Sequence, residues 1–394
     1  MKNQFNENEI FSYKDSNVQI TTQCVSLRDS DGNLIPVDIK PQLTDKQGNK
    51  TQWAVKKQGN AQLAASYTRI HYRTGRKYPS KSVIDRVTNC AGYLIYNYSI
   101  KTQQTDLKQV YLCKNRFCPV CQGRIARRQG FEANQVLSTY AKQNPGTRYL
   151  MMTLTIKNCP YNQLGNRLDL LNKAFAKFRR RRIYTNNFTG AIKVIEVTTN
   201  RTSKEFHPHL HIILSTKEAY FSKSNSSYIT SADLSSAWAE LINQEMSVVD
   251  IRAIYSKTKS GDKVVVDSEQ ANYSDAVKEV TKYVTKSEDY LIYTNSPEGK
   301  VKINPDETDE ILSHLYKHTF KRRLISYIGD LGLVKKQLFG VKTSDDEFTD
   351  EELLGDELVE AIDEDSLELV YAYNYHLGDY LLDAVNKATK YYRE

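Results

Sequence analysis

Three histidines alternate along one apolar stretch of this 394-residue chain, at His207, His209 and His211. Alternate side chains of a strand point to the same face, so a strand here places all three imidazoles side by side. Ile212 and Leu214 follow and would anchor such a strand in the core. Two imidazoles at this spacing can bind one divalent cation.

Glu196 is the natural third ligand for such a cation. It lies in the otherwise apolar run from Val194 to Val197, where a carboxylate has to be paired, coordinated or exposed. His207 competes with Glu196 for this role, and a solvent-facing Glu196 is the simpler alternative. Two imidazoles and a carboxylate suit several divalent metals. With phosphate oxygens completing the shell, we expect Mg²⁺ or Mn²⁺.

A carboxylate and a phenol stand one helical turn apart further along the chain, at Glu279 and Tyr283. Residues at i and i+4 share one face of a helix. A tyrosine oxygen can attack phosphorus when a metal polarises the phosphate, and the carboxylate can act as a base toward tyrosine or water. Lys282 and Lys286 can hold phosphate. A surface pair on a helix that packs through Val280 and Tyr283 fits the spacing equally well.

Four of the six cysteines have the spacing of a metal site, C-x22-C-x4-C-x2-C, at Cys90, Cys113, Cys118 and Cys121. Four thiolates close a tetrahedral Zn²⁺ site, and C-x2-C is its usual half-site. The C-x4-C-x2-C part also occurs in iron–sulfur proteins. Nothing else in the sequence resembles an electron carrier, so structural zinc is favoured over a cluster and over independent buried cysteines.

Charge is divided unevenly along the chain. Residues 343–394 hold 16 acidic and 3 basic residues, a net of −13, whereas residues 1–342 hold 52 basic and 31 acidic residues, a net of +21. The high positive charge of residues 1–342 indicates a polyanionic partner, most simply DNA. The basic side chains that we expect to contact DNA are Arg116, Arg124, Arg127, Arg128, Arg179, Arg180, Arg181, Arg182, Lys282 and Lys286. The acidic end can shield this basic surface or merely solubilise the chain.

A sheet has to position the histidines, and hydrophobic periodicity predicts one. The predicted strands are residues 148–156, 190–198 and 206–215, the last two forming a hairpin. Helical spacing covers residues 162–182, 231–246 and 273–286, with a further helical segment near 310–329. The prediction is an α+β fold: a central, largely antiparallel sheet with flanking helices, plus a small zinc-binding segment built on the four cysteines.

The predicted organisation has five segments. They are a polar, loosely ordered region of unknown role (1–75), a zinc-binding basic segment (76–135), a catalytic domain (145–290), a helical basic extension (291–342) and an acidic tail (343–394). No run approaches the ~20 apolar residues of a membrane helix. The start lacks the apolar run of a signal peptide. We therefore expect a cytoplasmic protein with no membrane partner.

Taken together, these motifs resemble the replication initiators of rolling-circle plasmids from Gram-positive bacteria. Those proteins belong to the HUH endonuclease superfamily and carry a single catalytic tyrosine. The matching segments are Cys118 to Arg128, Met152 to Ile156, Glu196 to Thr198, His207 to His211, Glu279 to Tyr283 and Arg322 to Gly329. One departure is Cys90-Ala91-Gly92, where the family pattern has Cys-Gly.

The resemblance implies a ferredoxin-like palm and a sequence-specific DNA nicking and joining enzyme. Tyr283 would attack one phosphodiester of a single-stranded or hairpin origin, keep the 5′-phosphate and free a 3′-OH for a polymerase. A metal held by His209 and His211 would polarise the phosphate. Glu279 would take the place of a second tyrosine and activate water to end the cycle. Origin DNA, a host helicase and a host polymerase are the implied partners, and a homodimer stays open.

Two alternatives remain. A mobilisation relaxase or a transposase shares the chemistry, but these enzymes often place the nucleophile elsewhere or carry additional tyrosines. A non-catalytic, zinc-containing DNA-binding regulator belongs to a different class. It would need a purely structural role for the histidine strand, which three aligned imidazoles disfavour.

Overall fold

The chain forms two compact units. The computed structural model describes residues 23–387 apart from 29–33, 40–41, 45–47, 100, 103, 222–228, 246, 248, 258–262, 266–276, 278–285, 296–300, 341–348 and 355–365. Unit 1 comprises residues 1–68, 80–121 and 349–394, and unit 2 comprises residues 69–79 and 122–348. Within the described ranges, every helix is too short or too polar to cross a membrane.

Helices and strands occur in both units. The described helices are α1 Gln52–Arg73, α2 Lys81–Asn89, α3 Pro119–Gln143, α4 Leu164–Phe178, α5 Arg182–Thr185, α6 Ser231–Ile242, α7 Pro305–Thr319, α8 Asp330–Phe339 and α9 Asp350–Leu354. The described strands are β1 Gln23–Arg28, β2 Leu34–Ile39, β3 Tyr93–Ser99, β4 Thr105–Val110, β5 Tyr149–Thr155, β6 Cys159–Pro160, β7 Phe188–Asn200, β8 Glu205–Thr216, β9 Val249–Ala253, β10 Tyr255–Lys257, β11 Lys263–Val265, β12 Tyr293–Asn295, β13 Val301–Ile303, β14 Ile325–Gly329, β15 Ser366–Asn374 and β16 Asp379–Lys387.

Unit 2 is built on an antiparallel sheet in the order β14-β7-β8-β5-β9, with the short β6 also paired to β8. The two long central strands, β7 and β8, form the hairpin that the sequence predicts. The helices α3, α4, α6 and α8 flank this sheet. The α+β prediction, with a largely antiparallel sheet and flanking helices, is confirmed.

Strand alternation divides the sheet into two buried faces. On one face, Ile192, Val194 and Ile213 pack in a cluster with residues of α3 and α8. On the other, residues of opposite parity such as Ile212 and Leu214 are also fully buried, and α4 packs against β8. Burying an aliphatic side chain of this size contributes roughly 1.5–3 kcal/mol. We call the first of these two faces the α3–α8 face. Every second residue from Val194 and Ile213 toward the end of the hairpin therefore lies on the α3–α8 face.

Unit 1 contains a four-stranded antiparallel sheet in the order β16-β15-β3-β4. Its strands β15 and β16 come from residues expected to form an acidic tail. Leu367, Leu369 and Tyr371 alternate along β15 and are buried, which is the pattern of a half-buried strand. Part of the acidic end of the chain is thus an integral hairpin of this sheet.

Two local expectations differ from the structure. Residues 52–73, expected to be loosely ordered, form the helix α1, which buries Leu63, Tyr67 and Ile70. The helical segment expected near 310–329 is wrong in its second half, because α7 ends at Thr319 and β14 follows as an edge strand on β7. The β-branched and aromatic residues of β14 favour a strand.

A glycine closes the turn between β14 and α8. Gly329 has φ +61°, and a Cβ there would clash with the backbone carbonyl oxygen of Thr189. Only glycine fits this close approach of two backbones. The helix expected over 273–286 lies outside the described residues apart from Val277 and Lys286, and only Val277 is described as helical.

Candidate active site and cysteine cluster

The β7–β8 hairpin brings Glu196, His209 and His211 together. Glu196 pairs directly with His209 across the two strands, and His211 pairs with Val194, two residues earlier on β7. All three side chains therefore point to the α3–α8 face, at the end of its apolar row. The group forms because β7 and β8 stay in register beyond the core, without a bulge at this position. The polar side chains therefore lie on the same face as the apolar side chains that precede them.

The three donor atoms form a nearly equilateral triangle. Glu196 Oε2 is 3.1 Å from His209 Nε2 and 2.8 Å from His211 Nε2, and the two Nε2 atoms are 3.1 Å apart. A small divalent cation about 2.1 Å from three ligands at right angles separates those ligands by roughly 3.0 Å. The triangle therefore fits three neighbouring positions of an octahedral shell, as for a two-histidine, one-carboxylate site.

Both imidazole rings are held at their other nitrogen. His209 Nδ1 is 3.2 Å from the carbonyl oxygen of His207, and because a carbonyl only accepts, Nδ1 carries the proton and donates. His211 Nδ1 is 3.2 Å from Thr153 Oγ1 on β5. Outer hydrogen bonds of this kind fix the tautomer and the orientation of metal-binding histidines. Nε2 of His209 thus faces Glu196.

Glu196 is ionised at neutral pH. Its half-burial acts to raise the pKa, but hydrogen bonds from His209 and His211 outweigh burial and lower the pKa of Glu196 to about 2. The donor set accordingly offers one carboxylate oxygen and two imidazole nitrogens. This mixture suits Mg²⁺ or Mn²⁺ when other oxygens complete the shell.

His207 lies beside the group but outside it. Its ring stacks on His209 with the centroids 5.1 Å apart, and burial, followed by the charge of His209, lowers the pKa of His207. The structure brings Glu196, and not the ring of His207, to the two imidazoles. The contribution of His207 is its backbone carbonyl, which orients His209.

The predicted nucleophile segment falls in a range that the structure leaves undescribed. Glu279, Lys282 and Tyr283 lie within residues 278–285. Residues on both sides are described. Val277 packs in the apolar cluster of the α3–α8 face, together with Val194.

Among the residues that follow the undescribed segment, Asp289 is influenced by the charge of Glu196. Lys286 is exposed and donates its backbone N–H to Asp289 Oδ2. The pKa of Asp289 is raised, first by burial and also by the charge of Glu196. Tyr290 is fully buried and therefore a poor candidate for an alternative nucleophile.

The four predicted cysteines converge in unit 1. Cys90 follows α2, Cys113 follows β4, Cys118 precedes α3 and Cys121 lies in its first turn. Their Sγ atoms are 3.5 Å (Cys90 to Cys121), 3.7 Å (Cys113 to Cys121) and 3.7 Å (Cys118 to Cys90) apart. A tetrahedral zinc site with Zn–S bonds of about 2.3 Å has sulfur atoms separated by roughly 3.8 Å. All four thiols are buried, and their spacing fits zinc.

Thiolate formation is favoured at Cys118. Burial acts to raise its pKa, but hydrogen bonding with the thiols of Cys113, Cys121 and Cys90 outweighs burial and holds the pKa of Cys118 well below its usual range. The departure at Ala91 does not displace Cys90. Ala91 adopts a left-handed φ of 48° and donates its N–H to the carbonyl oxygen of Tyr111, which keeps Cys90 in the group.

The predicted DNA-contacting arginines differ in exposure. Arg127, Arg180 and Arg182 are exposed, and Arg116 and Arg179 are half-buried. The remaining three arginines have structural contacts. Arg124 is buried, and Arg181 pairs with Glu240. Arg128 pairs with Glu132 and lies over the rings of Phe131 and Phe339. The exposed members are the better candidates for phosphate contacts.

Sequence reasoning missed three polar residues at these sites: Thr153, Lys57 and Asn60. Thr153 stands in the motif Thr-Leu-Thr, whose alternation could have placed its hydroxyl on the same sheet face as the histidines. Lys57 and Asn60 lie in α1, in a segment without the composition of a site. Both are fully buried next to the cysteine cluster.

Comparison with known proteins gives one consistent result. Residues 104–381 match the model of a family described as "Replication protein". Similar curated proteins include "Protein rep" of Streptococcus pneumoniae serotype 2 (strain D39 / NCTC 7466), 25% identical over 297 residues, which covers 75% of this chain and 82% of the relative. "Protein rep" of Bacillus amyloliquefaciens is 27% identical over 294 residues, 74% of this chain and 83% of the relative. "Protein rep" of Staphylococcus aureus is 25% identical over 245 residues, 62% and 96% of the two chains. No solved structure matches.

Proposed function

Because this chain belongs to the replication protein family, we propose that it starts rolling-circle replication by nicking and rejoining one DNA strand at a plasmid origin. The observation that carries the proposal is the triangle of Glu196, His209 and His211, whose donor atoms converge on one point of the sheet. Such a group suits a metal-assisted reaction at phosphate, which a non-catalytic DNA-binding protein does not perform.

The triad would hold Mg²⁺ or Mn²⁺, and the cysteine cluster would hold Zn²⁺. When bound, the catalytic cation supplies polarisation of a phosphoryl oxygen and neutralises charge in the transition state. Glu196 contributes a carboxylate that is ionised at neutral pH. The carbonyl of His207 and the hydroxyl of Thr153 keep the two imidazoles turned toward that carboxylate.

Tyr283 is the proposed nucleophile. Its Oη forms a bond to phosphorus while the bond from phosphorus to the 3′ oxygen breaks, so the 5′-phosphate becomes an ester of the tyrosine. The phenolic proton passes to Glu279 or to solvent, and the leaving 3′ oxygen takes up a proton to become the 3′-OH primer. In the closing step, Glu279 removes a proton from a water that cleaves the regenerated nick site, and the 3′-OH so released attacks the tyrosyl phosphate, which joins the strand as the bond from phosphorus to the Tyr283 oxygen breaks and that oxygen takes up a proton.

The described residues on both sides of Tyr283 support this role. Val277, six positions earlier, packs on the sheet face that carries the triad. Asp289, six positions later, interacts electrostatically with Glu196. The described chain on both sides of the tyrosine thus interacts with residues that belong to or pack with β7.

DNA is the partner of a replication initiator, and the exposed arginines Arg127, Arg180 and Arg182 are the proposed phosphate contacts. A host helicase and a host polymerase would act on the nicked product. The relaxase or transposase alternative differs in the DNA that is cut. The regulator alternative predicts no cutting at all.

A nicking assay tests the proposal. The full chain, with Mn²⁺, is incubated with supercoiled plasmid that carries the DNA flanking its own gene. The parent should convert it to open circles, whereas Tyr283→Phe should bind the same DNA with unchanged affinity and leave it supercoiled. Tyr293→Phe is the matched control, because Tyr293 is about half exposed in the same unit and should be dispensable. Nicking by Tyr283→Phe at the parent rate would reject the assignment of the nucleophile.

A further inference from the structure

A buried lysine lies against the cysteine cluster. Lys57 of α1 is 0% exposed, and its Nζ lies 2.9 Å from Asn60 Oδ1, 2.8 Å from the carbonyl oxygen of Thr88 and 2.7 Å from that of Cys90. All three partners are acceptors only. A neutral amine has two hydrogens, so three such bonds require the ammonium form. The structure therefore places a positive charge inside unit 1.

Asn60 connects this charge to a thiol. The amide is also 0% exposed, and its Nδ2 donates to Cys118 Sγ at 3.3 Å and to the carbonyl oxygen of Val87 at 2.9 Å. Its Oδ1 accepts from Lys57. The lysine thus polarises the amide whose N–H points at the sulfur, and charge on Cys118 strengthens both hydrogen bonds.

The charge of Lys57 has no carboxylate partner within the part of the chain that the structure describes. The rings of Tyr373 and Tyr375 flank Nζ at 5.8 and 5.6 Å. A buried lysine without a counter-ion is strongly unfavourable. Four neutral thiols would leave this cost uncompensated, whereas four thiolates around Zn²⁺ carry an excess of negative charge.

We propose that Lys57 is the internal counter-charge of the cysteine site and that Asn60 relays it to Cys118. Lys57 and Asn60 are positioning residues that stabilise the site as a four-thiolate zinc complex and set its metal affinity. This role is independent of DNA nicking. Its failure would leave the proposed function untouched, and the converse also holds.

A purely structural role is the competing explanation. The carbonyl groups of Thr88 and Cys90 lie at the C-terminal end of α2, where any donor stabilises a helix. A capping residue would affect folding with or without metal. A counter-charge would affect the binding of metal in proportion to the charge that is changed.

The experiment measures zinc affinity in the full chain by competition with a chromogenic chelator. Lys57→Met should weaken zinc binding by about 10- to 100-fold, the usual effect of losing an outer partner of a metal site. Lys56→Met, at the neighbouring and partly exposed lysine of α1, should bind zinc as the parent does. Affinity of Lys57→Met within about twofold of the parent would overturn the proposal.

A second pair of variants keeps the test decisive if Lys57→Met fails to fold. Asn60→Leu and Asn60→Asp both remove the amide donor, but only Asn60→Asp adds a negative charge beside Cys118 and neutralises Lys57. We expect Asn60→Asp to bind zinc at least tenfold more weakly than Asn60→Leu. The charge-transfer absorbance of the Co²⁺-loaded variants should still show four thiolate ligands. Equal zinc affinity of the two Asn60 variants would overturn the proposal that Lys57 is a counter-charge. It would leave only the structural role of the two residues.

Discussion

Glu196 and His209 are directly paired residues of β7 and β8, and their Oε2 and Nε2 atoms lie 3.1 Å apart. A slip of one residue in this pairing would turn one of the two side chains to the opposite face of the sheet. The apolar rows that precede them on both strands hold the register, because Val194 and Ile213 have to remain in the core. The core of unit 2 thus sets the geometry of the candidate active site.

Glu196 and His207 should respond differently to mutation. We expect Glu196→Gln to abolish metal-dependent nicking, as His209→Ala and His211→Ala should, because each removes one donor of the triangle. His207→Ala should retain most of the activity, since its backbone carbonyl still orients His209. Nicking rates measured against Mn²⁺ concentration, with EDTA as the metal-free reference, test this. Full activity in EDTA would contradict the metal assignment.

Thr153 should tune the affinity for the catalytic metal. Thr153→Val keeps the shape of the side chain but removes the hydroxyl next to His211 Nδ1. We expect the Mn²⁺ concentration for half-maximal nicking to rise about tenfold, with a smaller change in the maximal rate. Thr153→Ser restores the hydroxyl and should restore the parent's metal dependence. A lower maximal rate at unchanged Mn²⁺ requirement would instead point to a role in the chemical step.

The cysteine cluster should contain one zinc ion per chain. Elemental analysis of the purified protein measures it directly. Because a structural zinc site contributes to folding, Cys118→Ser should lose zinc and show a lower melting temperature, which added Zn²⁺ does not restore. Cys159→Ser is the matched control, since Cys159 is also buried but lies in β6 and is not one of the four grouped cysteines. Bound iron with visible absorbance would show a cluster instead of zinc.

The lowered pKa of Lys193 predicts that the stability of the protein depends on pH. Burial, with a further contribution from the charge of Arg179, lowers the pKa of Lys193 to about 8. The folded state therefore releases this proton at lower pH than the unfolded state, where the usual value is 10.5. Stability should rise between pH 8 and pH 10.5, and it should be constant with respect to this group below pH 8.

The comparison variant is Lys193→Met, which lacks the titrating group. Relative to it, the free energy of unfolding of the parent should increase by roughly 1–3 kcal/mol across that range. Denaturant unfolding of both proteins at pH 7, 8, 9 and 10 measures the difference. Parallel pH profiles would show that Lys193 titrates near its usual value.

The elements around the histidines can be predicted because hydrophobic alternation runs through them without interruption. The β7–β8 hairpin and the grouping of His209 and His211 follow from period-two spacing alone. Glu196 stands out as a candidate ligand because a carboxylate in an apolar strand requires a partner. The cysteine group follows from spacing.

Other parts could not be predicted because their local signals conflict with the tertiary structure. Lys57 looks like any solvated helical lysine, and only the fold shows that it is buried against the thiols. The dense negative charge that precedes Ser366 suggests a solvated tail and obscures the alternation of β15. Residues 325–329 are too few for their hydrophobic alternation to indicate a strand. They form one because they pair with the edge of β7.

Mapping the protein–DNA bond identifies the nucleophile directly. The full chain is incubated with Mn²⁺ and an oligonucleotide of the origin that carries a cleavable site, and the covalent adduct is digested and sequenced by mass spectrometry. We expect a single modified peptide with the 5′-phosphate of the DNA esterified to Tyr283. An adduct on another residue, or strand cleavage that leaves no adduct at any point of the time course, would contradict it.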